Sequence, residues 1–220
     1  KPMPPHNLTM TATGAGMLWV GWFGFNGGSA LAANGDAGMA ILVTHISAAC
    51  GAFMWMMMEW IKYGKASALG IVTGMVAGLG TITPASGFVG PAGAIVIGLS
   101  AGVVCFFATN FIKRKLKIDD SLDVFPVHGV GGILGTLLAG VFGSTQLGIF
   151  SGQGLSTETI TIGEQVGIQA IGIAATGLYT AVVTFILLFG IRAITPIRAS
   201  DDDERQGLDI TQHEERGYDL

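Results

Sequence analysis

From Ala66 to Ile112 the chain carries no charged side chain, and this run restricts the possible folds more than any other feature. A helix crosses the hydrocarbon of a bilayer in about 20 residues, so the run is too long for one crossing. Its middle, Pro84-Ala85-Ser86-Gly87-Phe88-Val89-Gly90-Pro91, cannot continue a helix. The run therefore reads as a helical hairpin with a tight turn. The same reading along the whole chain gives six apolar stretches, at about 10–34, 38–58, 66–84, 91–112, 124–146 and 165–192. The expected fold is all-α: a polytopic transmembrane helix bundle of about six spans, preceded by a loop over residues 1–9 and followed by a polar tail over 198–220. Composition agrees, with 50% hydrophobic and 12% charged residues, against about a quarter charged in a soluble domain. The 35 glycines show no period of three, which excludes collagen. They suit helices that approach closely inside a membrane.

Cations set the expected orientation, because short loops rich in Lys and Arg stay on the cytoplasmic side. Lys62 and Lys65 follow the second stretch; Lys113, Arg114, Lys115 and Lys117 follow the fourth; Arg192 and Arg198 close or follow the sixth. The loops near 35–37, 84–91 and 147–164 hold none. With Lys1 on the same side, all 11 basic residues fall on one face, and both ends are expected in the cytoplasm, across the inner (plasma) membrane. Gly70-x-x-x-Gly74-x-x-x-Gly78, Gly98-x-x-x-Gly102 and Gly131-x-x-x-Gly135 read as helix–helix contact stripes. Lys1 in place of Met, with no signal peptide before the first apolar stretch, raises the expectation of an incomplete gene product.

Polar residues within hydrocarbon cost several kcal/mol and are the first place to look for chemistry. Asp36, Glu59 and Asp123 fall near stretch ends, where solvated or capping roles are expected. Cys50 and Cys105 read as small core residues; no disulfide framework or zinc spacing exists, and neither a metal nor a cofactor is expected. His45 reads as a structural histidine bonded to a backbone carbonyl. His128 lies in Phe125-Pro126-Val127-His128-Gly129-Val130-Gly131-Gly132, where the glycines are expected to leave open space beside a lumen-facing ring. In the first stretch Trp22, Phe25 and Ser29 fall at i, i+3 and i+7, one face of one helix. Such an aromatic face suits either packing or a cation stripped of its water.

Five motifs then carry a resemblance. They are Pro5-His6-Asn7-Leu8; Gly21-Trp22-Phe23-Gly24-Phe25-Asn26-Gly27-Gly28-Ser29; Thr83-Pro84-Ala85-Ser86-Gly87; Asp119-Asp120 with Asp123-Val124-Phe125-Pro126-Val127-His128-Gly129; and Glu204-Arg205-Gln206-Gly207-Leu208-Asp209. In this order they resemble the ammonium transporter family (Amt/Mep/Rh), in its bacterial Amt branch, over the C-terminal half only. The resemblance implies that Ser29 belongs to an external ammonium recruitment site, that Phe25 is one of two phenyl rings closing the entrance, and that Trp22 lines the pore beside paired histidines, of which His128 is one. It further implies a homotrimer with a pore in each subunit, and a cytoplasmic tail, including Gly207, Leu208 and Asp209, at which a PII signalling protein regulates transport. The family's other pore histidine, second gate phenylalanine, second recruitment aromatic and a structural aspartate belong to its N-terminal half, so this chain would supply one wall of the pore of an inverted repeat.

The leading expectation is recruitment of NH4+ and histidine-assisted deprotonation, with ammonia crossing the lumen. A sensor signalling through the tail and a non-conducting half-transporter are the alternatives. An enzyme is argued against by the lack of a His-Glu-x-x-His motif, a nucleophile elbow or paired intramembrane carboxylates. The expected partners are ammonium or ammonia, the lipid bilayer, further copies of the chain and PII, with no nucleic acid.

Overall fold

The computed structural model describes residues 4–217; Lys1, assigned above to the cationic face, and the last three residues of the tail lie outside the described residues. Two compact units are present, one ending at Ile173 and one beginning at Ala174. The described residues form helices and turns without strands.

Each apolar stretch holds a helix, and local capping chemistry moves its ends away from the hydropathy limits. Helix α1, Leu8–Gly28, starts where the Asn7 side chain accepts from the Met10 N–H, and the residues after it turn, with Leu31 at φ 55°. Helix α2, Gly35–Tyr63, starts on Asn34, whose side chain accepts from the Ala37 N–H, and ends on Gly64 at φ 75°. That left-handed C-cap suits glycine, which has no Cβ to clash. Helix α3, Ala68–Ile82, is capped by Ser67 accepting from the Gly70 N–H. Caps of this type contribute about 1 kcal/mol each. At 15 residues, α3 is about 22 Å long, shorter than the 66–84 stretch suggests, because the chain leaves the helix at Thr83 before Pro84.

Helix α4, Pro91–Asn110, opens with proline in its first turn, where the missing N–H has no helical partner to lose. It widens into a π-helical turn, Phe111–Leu116, that stops at Lys117 with φ 54°. A second π-helical turn, Phe125–Val130, leads directly into α5, Gly131–Phe142. Helix α6, Ile162–Arg192, begins in the first unit and continues into the second. Counted with their wide turns, Gly35–Tyr63, Pro91–Leu116, Phe125–Phe142 and Ile162–Arg192 are long and apolar enough to cross a membrane. In the second unit, the end of α6 is followed by two short helices, α7 (Asp201–Gln206) and α8 (Leu208–His213).

The first unit is held by backbone contact at the glycine stripes. A Cβ at Gly74 would enter the Trp55 side chain, and one at Gly78 would enter the Ser47 carbonyl. On α4, the places where Cβ atoms of Gly98 and Gly102 would stand belong to α2 at Ser47 and Cys50, and at Met54 and Gly51. On α5, Gly135 lies against the Thr81 backbone of α3. Around this seam Val43, Ile82, Val89 and Ile97 form one fully buried cluster, and Trp55, Cys105, Phe106 and Val127 belong to a second. Both cysteines are free thiols, with Cys105 buried. The carboxylates near the helix ends do local work. Asp36 stands in the first turn of α2 and accepts from the Asn34 amide at 3.2 Å. Glu59 accepts from the Ser67 N–H at 2.7 Å and from its hydroxyl at 3.0 Å, tying the end of α2 to the start of α3.

Candidate functional site

Helix α1 carries Trp22 and Phe25, with Ser29 as its C-cap, and is fastened to α2 at its far end. Buried Asn26 donates to Thr44 Oγ1 at 2.9 Å, and the Thr44 hydroxyl donates to the Ala40 carbonyl at 2.6 Å. Gly27 lets Ile41 approach, since a Cβ there would stand 2.8 Å from its Cγ1. Asn26 thus sets the rotation of α1, and with it the direction of the adjacent Phe25 and of Trp22 one turn earlier.

His128 is positioned from the other side by the start of the fifth apolar element. The Asp120 carboxylate accepts from the Val124 and Phe125 N–H groups, both at 2.9 Å, which satisfies two donors that a helix start leaves without partners. Lys113 pairs with Asp123 at 2.8 Å. Burial pushes the Asp123 carboxyl above its ordinary value, and the hydrogen bond and charge of Lys113 partly offset this. Pro126, fully buried, then enters the π-helical turn that carries His128. Such wide turns recur at functional positions because they re-aim a side chain within an otherwise regular helix.

These two supports bring Trp22 and His128 together. Their rings stack with centroids 6.2 Å apart and planes within 14°, and Phe25 meets Trp22 edge-on at 6.0 Å. The Trp22 indole N–H donates to Thr83 Oγ1 at 2.7 Å. His128 is exposed, as is Phe25, so the pair stands on an open face of the first unit. A Cβ at Gly80 would lie 3.7 Å from His128 Nδ1, so α3 presents bare backbone there.

Other predicted residues fall differently. Ser29 is the C-cap of α1, and its hydroxyl donates to the Phe25 carbonyl at 2.8 Å; it shares the helix with Trp22 but lies beyond Phe25. The glycines beside His128 do not act alike. Only Gly132 has open space; Gly129 accommodates the Phe125 ring, 3.0 Å from where its Cβ would be, and Gly131 the Thr81 hydroxyl at 2.8 Å. His45, expected on a backbone carbonyl, is exposed and stacks on Trp19 at 5.1 Å, with Phe23 tilted against it at 5.9 Å. Three residues given no role from sequence belong to the site: Thr83, Gly80 and Asp120. The Thr83-Pro84 and Asp119-Asp120 motifs contain two of them, but nothing local reveals what those side chains touch.

In the second unit, Gly207 has φ 107°, a conformation that disfavours any Cβ, and it separates α7 from α8, with Leu208 exposed and Asp209 in the first turn of α8. Arg198 holds Glu204 through two hydrogen bonds, at 2.8 and 3.0 Å, which lower the Glu204 carboxyl below its ordinary value. The Ser200 side chain accepts from the Asp203 N–H at the start of α7.

The chain is an all-helical membrane bundle with a Trp–His stack open on one side. Residues 1–218 match the model of the Ammonium Transporter Family, and the chain belongs to that family. It is 46% identical over 214 residues to the ammonium transporter Amt1 of Archaeoglobus fulgidus, covering 97% of this chain and 53% of that protein. It is 43% identical to the ammonium transporter of Aquifex aeolicus, over 98% of this chain and 50% of the relative. Among solved structures, a sensor Amt protein superposes with a TM-score of 0.85 at 32% identity, over 94% of this chain and 49% of that one. Mep2 of Saccharomyces cerevisiae gives 0.77 at 40% identity, over 86% and 45%. The chain thus spans about half the length of the relatives it matches, and these are named as transporters or as a sensor, not as enzymes.

Proposed function

We propose that this chain supplies one wall of an ammonium pore, in which NH4+ is recruited near Ser29, passes Phe25 and loses its proton beside His128, so that ammonia crosses the lumen. The observation that carries the reading is the exposed His128 ring stacked on Trp22. An exposed imidazole does not suit lipid; it suits a lumen closed by a second wall. Selectivity supports the same chemistry. Potassium and ammonium are similar in size, so cation–π attraction at Phe25 and Trp22 separates them poorly. Ammonium has protons to lose, and the neutral product avoids the cost of a bare charge in an apolar lumen. Histidine is the side chain whose ordinary titration range suits that exchange.

The reading includes six crossings, a cytoplasmic tail, a homotrimer and PII docking around Gly207, Leu208 and Asp209; family membership and the cation distribution support it. The test is made in a complete transporter containing this chain. His128→Ala lowers ammonium current or weakens potassium exclusion, and His45→Ala leaves both nearly unchanged. Wild-type flux and selectivity in the His128 variant would refute the mechanism, and a large effect at His45 would move the site to the Trp19–His45 stack.

A second reading, an ammonium sensor, is favoured by the likeness to the sensor Amt protein. It differs in one measurable respect: ammonium binding changes the state of the tail while flux stays negligible.

A further inference from the structure

Resting on the pore reading above, we propose that Thr83 is a positioning residue: it holds the Trp22 indole flat beside His128 and withdraws the indole N–H from the lumen. Three observations carry this. The Trp22 N–H donates to Thr83 Oγ1 at 2.7 Å across 61 residues of sequence, and the Thr83 hydroxyl donates to the Leu79 carbonyl at 2.8 Å. A hydroxyl has one proton; with that proton on Leu79, its oxygen faces Trp22 only as an acceptor. An indole N–H lies in the ring plane, so holding it restrains the ring's rotation as well as its position, and the ring so held is the one within 14° of parallel to His128.

Trp19 provides the internal contrast. It sits one turn earlier on the same helix, packs against the same buried cluster as Trp22, and its indole nitrogen is buried without a partner among the described residues. Packing on α3 therefore does not by itself provide an indole with an acceptor; Thr83 does so for the ring beside His128. With its one polar atom occupied, Trp22 offers only carbon to the open face. A free indole N–H there would hold water or ammonia, since an unpaired donor in an apolar site retains any available acceptor. The α3 register adds a second element: Gly80, three residues before Thr83, turns bare backbone toward the side of the imidazole bearing Nδ1.

The experiment compares Thr83→Val, which keeps the shape and deletes the hydroxyl, with Thr83→Ser, which keeps the bond, in a complete transporter containing this chain. Ultraviolet resonance Raman reads the hydrogen-bond state of the Trp22 N–H, isolated by subtracting a Trp22→Phe variant, and currents are recorded with ammonium and with potassium. Thr83→Val is expected to shift the N–H band to its unbonded position, to lower maximal ammonium current by about two- to tenfold, the equivalent of one neutral hydrogen bond, and to raise the potassium-to-ammonium ratio. Half-saturation stays unchanged, because Ser29 and Phe25 are untouched. Thr83→Ser restores all three. If Thr83→Val does not assemble, Thr83→Ala is scored in its place. An unshifted band, or wild-type current and selectivity in the valine variant while His128→Ala still alters flux, overturns this proposal and leaves the pore reading standing. Wild-type flux in His128→Ala sinks the pore reading and this proposal with it.

Discussion

Replacing Gly78 with alanine tests whether backbone contact between α2 and α3 holds the first unit together. The added Cβ would run into the Ser47 carbonyl oxygen and stand 2.9 Å from Ala48 Cα. All three of its nearest atoms are backbone, so no side chain can swing away. Carbon atoms rest at about 3.5 Å, so the carbon contact alone requires the two helices to part by about 0.6 Å at this level, and the nearer carbonyl oxygen requires more. The same displacement stretches the hydrogen bond from the Ser47 hydroxyl to the Gly78 carbonyl, now 2.8 Å, past the about 3.0 Å limit typical of such bonds. Overpacking costs about 1–3 kcal/mol, and an interhelical hydrogen bond in a membrane contributes about 0.6 kcal/mol. Together these predict a loss of roughly 2–3 kcal/mol, a factor of about 30–150 in the unfolding constant. Gly132→Ala is the matched control, because nothing lies within 4 Å of its Cβ position. The assay is unfolding in mixed micelles, following tryptophan fluorescence, since Trp55 packs on the same seam at Gly74. Equal unfolding midpoints for the two variants would show that the helices are not in the contact described.

Two further outcomes are expected. Asp120→Asn keeps the size of the cap but leaves one of the two N–H groups at Val124 and Phe125 facing an amide donor; it should cost about 1–2 kcal/mol and loosen the turn carrying His128, seen as a lower unfolding midpoint together with reduced ammonium current, and wild-type values in both would refute the cap. In the tail, the folded Glu204 carboxyl titrates below its ordinary value because Arg198 binds the ionised form; its contribution is therefore present above the unfolded carboxylate range and is lost as pH falls through the lower folded value, so carboxyl NMR should show release of Arg198 only in acid, and earlier at high salt.

The apolar stretches were legible in the sequence because hydrocarbon demands them, and the helix-contact stripes because close approach demands glycine. Helix ends were read less well: Asn7, Asn34 and Ser67 each start a helix by one hydrogen bond, which hydropathy does not register. The residue types at the site were legible and its contacts were not. Trp22 and His128 meet only because α1 and the turn before α5 both pack on α3, and neither segment encodes the other's position. Gly129, Gly131 and Gly132 look alike in a string, yet one receives a phenyl ring, one a threonine hydroxyl and one nothing. Asp120 is one of three aspartates in five residues, and only the fold shows which of them caps the turn and which pairs with Lys113.

The exposed face carrying the stack also bears on where the chemistry can reside. Phe25 is 63% exposed, and with the exposed His128, to which Trp22 links it, an aromatic ring and an imidazole stand without cover in the first unit. On a water-soluble domain such a face would bind a ligand directly; in a membrane bundle it is apt neither for lipid, because of the imidazole, nor for holding a bare cation by aromatic contact from one side. In the proposed pore, a seam between two walls resolves both difficulties. It lets rings approach the substrate from opposite sides, and it excludes water, so each hydrogen bond and ring contact acts in a low dielectric. On that proposal, the parts that must be exact are those that fix ring direction: Asn26 on α1, Thr83 at the end of α3 and Asp120 before α5. Each does so through hydrogen bonds that His128 and Phe25 take no side-chain part in: Asn26 to Thr44, Thr83 from the Trp22 N–H, and Asp120 from the Val124 and Phe125 N–H groups.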